Sequence, residues 1–258
     1  MINLDIEHLR SKLDGEEPIE SATFADVEWG DLDCENATFE DCLIEHAQLS
    51  NVIFAGARFS RCRFLHCRFS RSDLSDAEFE ECVFTTRDDT PTGCAFVFSD
   101  LRRARFLKCD LSLCQIERSD LFDVEMDQCN LRGARFHRAD FSHAYSRKLV
   151  TTRATFRGCN LELADLTEAR LAACEFTDSR FREADLSAAD LTDAVLRDCD
   201  LFRAVLVGTK LEGADLRGAE ISGLNLMSLG SFVRMKVNQS QQHILLLGIG
   251  LDVYPEID

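Results

Sequence analysis

Bulky apolar residues fall every five positions along most of this chain. From Phe24 the step lands on Trp29, Cys34, Phe39, Ile44, Leu49, Phe54, Phe59, Phe64, Phe69, Leu74, Phe79 and Phe84. It resumes at Phe96, runs to Phe141, passes Ser146 and Thr151, and returns at Phe156 to continue to Leu226. Of these 40 positions 38 are apolar, and they hold 15 of the 19 phenylalanines, so the spacing belongs to the fold and not to composition. Two residues before each centre, 37 of the 40 positions hold Ala, Cys, Ser, Thr or Val, so a large and a small side chain recur as a pair.

Five steps advance an α-helix by about 500°, so no helix keeps such a stripe on one face, and simple two-residue alternation fails as well. A short extended segment with two inward side chains, then a corner, satisfies the pattern. Four such segments close a square turn of twenty residues. The prediction is an all-β, right-handed quadrilateral β-solenoid of about ten coils, with turns spaced like paired strands, about 4.8 Å apart. Phe54, Phe59, Phe64 and Phe69 should line all four sides of one turn. Gly208, Gly213, Gly218 and Gly223 fall at predicted corners, and Pro18, Pro91 and Pro255 lie outside the regular repeat.

The pentads resemble those of the pentapeptide-repeat family, whose motif is a small residue, Asp or Asn, Leu or Phe, then two variable residues. Ala184-Asp185-Leu186-Ser187-Ala188 and Ala214-Asp215-Leu216-Arg217-Gly218 carry it almost unaltered, while Arg58, Arg63 and Arg68 depart from it. The resemblance covers residues 22–226.

A solenoid needs capped ends. Residues 1–21 form the expected N-terminal cap, with a short helix over 4–13 ended by Gly15 to Pro18. Residues 227–258 form the C-terminal cap, with a capping box of Asn238 and Gln241, a helix from Gln239 to Leu247, a stop at Gly248 and a short strand through Ile249, Leu251 and Val253. Ile244 to Leu247 are four apolar residues in succession. They either cover the last turn alone or also form a two-fold interface. The family resemblance implies the second, a homodimer through Ile244, Leu245, Leu247, Ile249 and Leu251.

Two interruptions stand out. Phe84 to Phe96 is a step of twelve, which makes residues 85–93 a loop thrown out of the wall. Residues 142–153 keep phase but lose two apolar centres, and read as a bulged basic turn or a loop of the same length.

The net charge of −17 is uneven, with −12 in residues 1–50 and +3 in 101–150. Eleven of the twelve cysteines take the small inward position and Cys34 a centre; with no C-x-x-C pair, packing explains them better than metal or disulfide chemistry. His8, His46, His66, His137, His143 and His243 show no metal spacing, and there is no phosphate-binding glycine loop or nucleophile motif. The expectation is a non-enzyme without cofactor or metal. No apolar run is long enough to span a membrane, and the acidic N-terminus is unlike a secretion signal, so a cytoplasmic protein with no membrane partner is expected.

Counting by twenty aligns Asp100, Asp120, Asp140, Asn160, Arg180, Asp200 and Glu220, five of them acidic. The motif's own taste for Asp explains this as a solvated face. The other reading is a ladder of charge offered to a protein groove built for DNA phosphates. The resemblance to Qnr-type, gyrase-protecting family members implies that second reading. On it, Arg87, Asp88, Asp89, Thr90 and Pro91 contact the partner through the loop, Asp100, Asp120, Asp140, Asp200 and Glu220 form the acidic face, and the partner is DNA gyrase or topoisomerase IV, with no nucleic acid bound directly. The alternatives are a non-catalytic scaffold or effector with an unrelated partner, or a module docking through its acidic first twenty residues.

Overall fold

In the computed structural model the described residues are 2–3, 5–13, 17–25, 27–146, 149–252 and 254. The five-residue pattern folds as a right-handed quadrilateral β-solenoid. Three walls carry parallel sheets, the longest pairing Ile19–Glu20, Thr38–Glu40, Arg58–Ser60, Glu78–Glu80, Arg105–Leu107, Val124–Asp127 and Ala154–Arg157 in register.

The expectation of about ten equivalent coils is corrected to about six turns joined by continuous sheet, since the seven strands of that wall make six turn-to-turn steps. Beyond Arg157 the turns stack through single bridges such as Asn160 to Arg180 and Arg180 to Asp200. The reason is local: Ala-Asp-Leu pentads turn immediately after the centre and leave one paired residue per face. Stacking also passes the expected limits of 22 and 226, starting with Ile2 on Ala22 and Ile19 on Phe39 and ending with Asp215 on Lys236.

The core is a dry column. Phe54, Phe59, Phe64 and Phe69 form a closed ring of contacts, with centroids 5.4, 5.3, 5.6 and 6.4 Å apart around the turn. Along the axis Phe39, Phe59, Phe79 and Phe106 stack face to face at 4.9, 4.9 and 4.7 Å. Strand spacing imposes that distance, and it is also the offset-stacking distance aromatic rings prefer.

All twelve cysteines are buried and free. Cys42, Cys62, Cys82, Cys109, Cys129 and Cys159 follow one another coil by coil, each Sγ donating to the carbonyl of a residue one coil earlier, as Cys82 does to Phe59 at 3.3 Å. Ser72, Ser119, Ser179 and Thr209 make the same bond with a hydroxyl. The position therefore selects for small size and tolerates a donor. Burial pushes the thiols of Cys34, Cys174 and Cys199 up to about 12, so they are unreactive.

Gly208, Gly213, Gly218 and Gly223 take φ between +67° and +88° with their corners, as the sequence predicts. Most corners nevertheless use other residues at positive φ, Phe98, Leu113 and Ala188 among them. The strain of about 1 kcal/mol each is offset by the hydrogen bonds each corner makes to the next coil.

At the N-terminal end a helix over Ile6–Leu13 buries Leu9 on the first coil; Asp14, Gly15 and Glu16 lie outside the described residues. At the other end a 3₁₀ turn, Gln239–Gln241, runs into a helix over Gln242–Gly248. Buried Gln241 accepts from the Asn238 amide at 2.5 Å and donates to the carbonyls of Leu216 and Ala219, so the capping residue also bolts the helix to the last coil. A Cβ on Gly248 would lie 2.4 Å from the Leu224 carbonyl oxygen, which makes glycine obligatory where the helix stops. The strand expected after it is absent among the described residues. Gly250 turns the chain at φ +84°, and Val253 and Pro255 lie outside the described residues.

Candidate protein-interaction surface

The walls present side chains in columns one coil apart, so a surface feature is set by which residues stack. Residues 85–93 leave the wall as a loop closed by an antiparallel bridge between Thr85 and Gly93, and the coil holding it spaces Val83 from Asp110 by 27 residues in place of twenty. The loop is tied at its neck: Thr86 Oγ1 accepts from the Thr92 amide at 3.0 Å, and Thr85 Oγ1 donates to the Thr92 carbonyl at 3.3 Å. Two of the predicted contact residues lean back on the wall, Arg87 towards Asp110 at 3.6 Å and Asp88 towards His66 at 3.8 Å. Asp89, Thr90 and Pro91 form the exposed apex.

The second interruption is a β-hairpin, Ser142–Ser146 paired antiparallel with Leu149–Thr152, and its coil spaces Asn130 from Asn160 by thirty residues. Its root is held by His143, packed between Phe122 at 5.1 Å and Tyr145 at 4.7 Å. Tyr145, Leu149 and Val150 are more than half exposed, which gathers apolar surface on the hairpin. Loss of the two apolar centres was the only sequence signal for these three residues, and none was singled out.

The hairpin corrects the acidic face. Its ten extra residues equal half a turn, so counting by twenty crosses to the opposite wall. Asp73, Asp100, Asp120 and Asp140 stack in one ladder, while Asp200 and Glu220 belong to another, built on Asp110, Asn130, Asn160 and Arg180. Asp73 was missed because the earlier loop disturbs the count in the other direction.

These carboxylates also have work inside the fold. Asp73, Asp100, Asp120, Asp140 and Asp200 each accept a hydrogen bond from the backbone amide two residues on, at 2.9 to 3.0 Å, and Glu220 does so at 2.7 Å. Such bonds hold the corner. Arg102 pairs with Asp100 and reaches Asp120 at 3.7 Å, neutralising part of the ladder. Burial, followed by the charges of Asp100 and Asp140, raises the carboxyl of Asp120 above its ordinary value despite the Phe122 amide and Arg102. The neighbouring wall alternates sign, with Arg58 to Glu78 at 3.3 Å and Arg105 3.6 Å from both Glu78 and Glu125.

The C-terminal residues divide. Ile244 and Leu245 pack against the core, whereas Leu247, Ile249 and Leu251 are 54, 39 and 52% exposed. Val207, Met227 and Val233 add exposed apolar surface at the same end of the rod.

Among the described residues no group of three or more His, Cys, Asp or Glu is placed to hold a metal ion, and no helix is long and apolar enough to cross a membrane. No curated protein matches the sequence. Trypsin-treated QnrB1, a plasmid-mediated fluoroquinolone resistance protein, superposes with a TM-score of 0.76 at 24% identity over 83% of this chain and 99% of its own. Full-length QnrB1 gives a TM-score of 0.62 at 24% identity over 81 and 99%. The family model for pentapeptide repeats matches with eight copies, over residues 33–70, 47–85, 114–145, 152–182, 179–218 and 194–227. With bulky and small side chains paired inside a square coil and that match along most of its length, the chain belongs to the pentapeptide-repeat family.

Proposed function

We propose that this protein is a Qnr-like binder of DNA gyrase or topoisomerase IV that acts as a homodimer, occupies part of the enzyme's DNA-binding surface and protects it from a poison. The observation that carries the reading is the ladder of Asp73, Asp100, Asp120 and Asp140, one carboxylate per coil on a straight wall. The likeness to QnrB1 supports the fold on which the ladder is displayed. A duplex carries one charge per about 1.7 Å, and this ladder one per about 4.8 Å, so mimicry alone is a weak attraction. The 86–92 loop and the apolar hairpin must then supply much of the specific contact, and exposed Leu247, Ile249 and Leu251 the contact between copies.

The test is a gyrase supercoiling and quinolone-induced cleavage assay with the purified protein. Reduced cleavage at stoichiometric protein, lost on deleting 86–92 or 143–152, supports the reading; unchanged cleavage at large excess refutes it. A second reading, an interaction scaffold with an unrelated partner, is favoured by the wall of alternating Arg58, Glu78, Arg105 and Glu125, whose charges cancel and resemble no nucleic acid. It gains if a deletion of 86–92 leaves the biological activity intact.

A further inference from the structure

We propose that the wall built on Arg68–Ser70, Ala95–Val97, Gln115–Glu117 and Arg135–His137, with its corner residues Arg71, Phe98, Arg118 and Arg138, docks an extended acidic segment of a partner protein. In a chain of net charge −17 these four coils present five arginines and one carboxylate, Glu117. The coils are about 4.8 Å apart, so the basic strip is about 14 Å long.

Elsewhere the surface neutralises itself. Arg61 lies 2.8 Å from Asp41, Arg103 2.6 Å from Asp76 and Arg58 3.3 Å from Glu78. On this wall Arg68, Arg71, Arg135 and Arg138 have no carboxylate partner among the described residues, and Arg118 reaches only its neighbour Glu117, at 3.9 Å. All five are exposed. Like charges stacked side by side repel, so the fold gains nothing from the set, and anions from a partner relieve it. Phe98 adds a second, independent feature. Its ring is 49% exposed and sits between the guanidinium groups of Arg71 and Arg118, 6.0 and 5.4 Å from its centroid. At φ +54° a bulky residue is strained, and the coils on either side put Arg71 and Arg118 at the same corner, so the fold does not call for a ring there. A ring between two cations gives a docked segment one apolar anchor flanked by two charge contacts.

The surrounding charges select the class of partner. Guanidinium forks take carboxylate or phosphate through paired hydrogen bonds. Two residues beyond Arg71, Phe98, Arg118 and Arg138, round the corner, stand Asp73, Asp100, Asp120 and Asp140, one in each coil. A duplex, with a charge every about 1.7 Å, would carry phosphates over that ladder and be repelled. The separated carboxylates of a single extended strand fit within the wall. The inference is independent of the topoisomerase reading, because it concerns the wall beside the acidic ladder and not the ladder.

The experiment follows the fluorescence anisotropy of a labelled peptide, Glu-Glu-Leu-Glu-Glu-Leu-Glu-Glu, titrated with the full chain to about 1 mM at low salt. The parent is expected to bind, and to lose affinity several-fold between about 0.05 and 0.5 M sodium chloride. Arg71→Glu with Arg118→Glu should weaken binding about tenfold, and Phe98→Ala several-fold with no change in charge. Arg203→Glu with Arg234→Glu, the same change in net charge at exposed sites on other corners, should leave it as in the parent. Circular dichroism melts verify folding of these surface variants. No binding by the parent, or equal loss in the Arg203 and Arg234 control, overturns the proposal. An oligothymidylate of equal charge that binds more tightly than the peptide, and is lost in the Arg71 and Arg118 variant, makes the wall a nucleic-acid site and overturns the acidic segment. A parent that sediments as a larger species than that variant gives the wall to a second copy and overturns it too.

Discussion

Replacing Phe59 with alanine tests the core directly. Its ring is sandwiched between Phe39 and Phe79 at 4.9 Å on each side and meets Phe54 and Phe64 edge-on at 5.4 and 5.3 Å. It is 2% exposed, so truncation removes a fully buried ring and leaves a cavity that the stacked coils above and below cannot collapse into without losing register. Phenylalanine-to-alanine changes in cores cost about 3 to 5 kcal/mol, and four aromatic partners place this one at the upper end. Phe59→Leu keeps most of the volume and should cost about 1 to 2 kcal/mol. The internal control is Phe98→Ala: that ring is 49% exposed at a corner between Arg71 and Arg118, and its loss should cost under about 1 kcal/mol. Urea unfolding followed by circular dichroism gives all three. A Phe59→Ala penalty below about 1.5 kcal/mol, or one equal to that of Phe98→Ala, would refute the dry aromatic column.

Smaller tests probe other contacts. Trp29 is 1% exposed and its indole nitrogen has no hydrogen-bond partner, so Trp29→Phe, which deletes the orphaned donor, should be neutral or stabilising by up to about 1 kcal/mol in the same unfolding assay. Cys82→Ser keeps the donor to Phe59 and should nearly preserve stability, whereas Cys82→Val adds a methyl group to a filled column and should cost about 1 to 3 kcal/mol. Asp215, 5% exposed at its side chain, is clamped by Arg217 at 2.7 and 2.8 Å and by Arg197 at 2.7 Å, which holds its carboxyl far below the ordinary carboxylate range. A depressed carboxylate stabilises the fold above its unfolded value, about 3.9, and that contribution fades as pH falls towards the folded value. Asp215→Asn should therefore lower the urea midpoint at pH 7 and flatten the decline of stability below about pH 4.

The core was legible because each inward position repeats its demand. Phe59 and Phe64 are bulky for the same reason, and a period of five names them both. Surface columns were less legible, since they depend on how many residues each coil contains. The loop before Cys94 shifts the five-residue phase and so announces itself. The hairpin between Phe141 and Ala154 adds ten residues, a multiple of five, and leaves the phase intact while moving every later residue two walls round in the count. Asp200 and Glu220 were placed beside Asp140 for that reason. The His46 and His66 stack, by contrast, follows from their separation of twenty residues alone; what the sequence did not carry was the fold of the loop that brings Asp88 towards His66.

The same arithmetic yields a test of whether a partner reads one wall or several. Removing 143–152 takes out ten residues and leaves Phe141 five positions before the next centre, so the coil closes and the downstream walls stay where they are. Deleting one plain pentad, residues 170–174, is different. Each later pentad then stacks one wall earlier, turning the C-terminal third a quarter turn against the rest while every core position still receives a large and a small side chain. Because a solenoid's stability is close to a sum over neighbouring coils, the pentad deletion should fold with a loss of only a few kcal/mol. Deleting twenty residues, 170–189, restores the facing and shortens the rod by about 4.8 Å. A partner that grips the Asp73 to Asp140 wall alone tolerates both deletions. One that also engages the C-terminal end is lost with the five-residue deletion and recovered with the twenty, and equal loss in both, with native melts, means that length and not facing is what it reads.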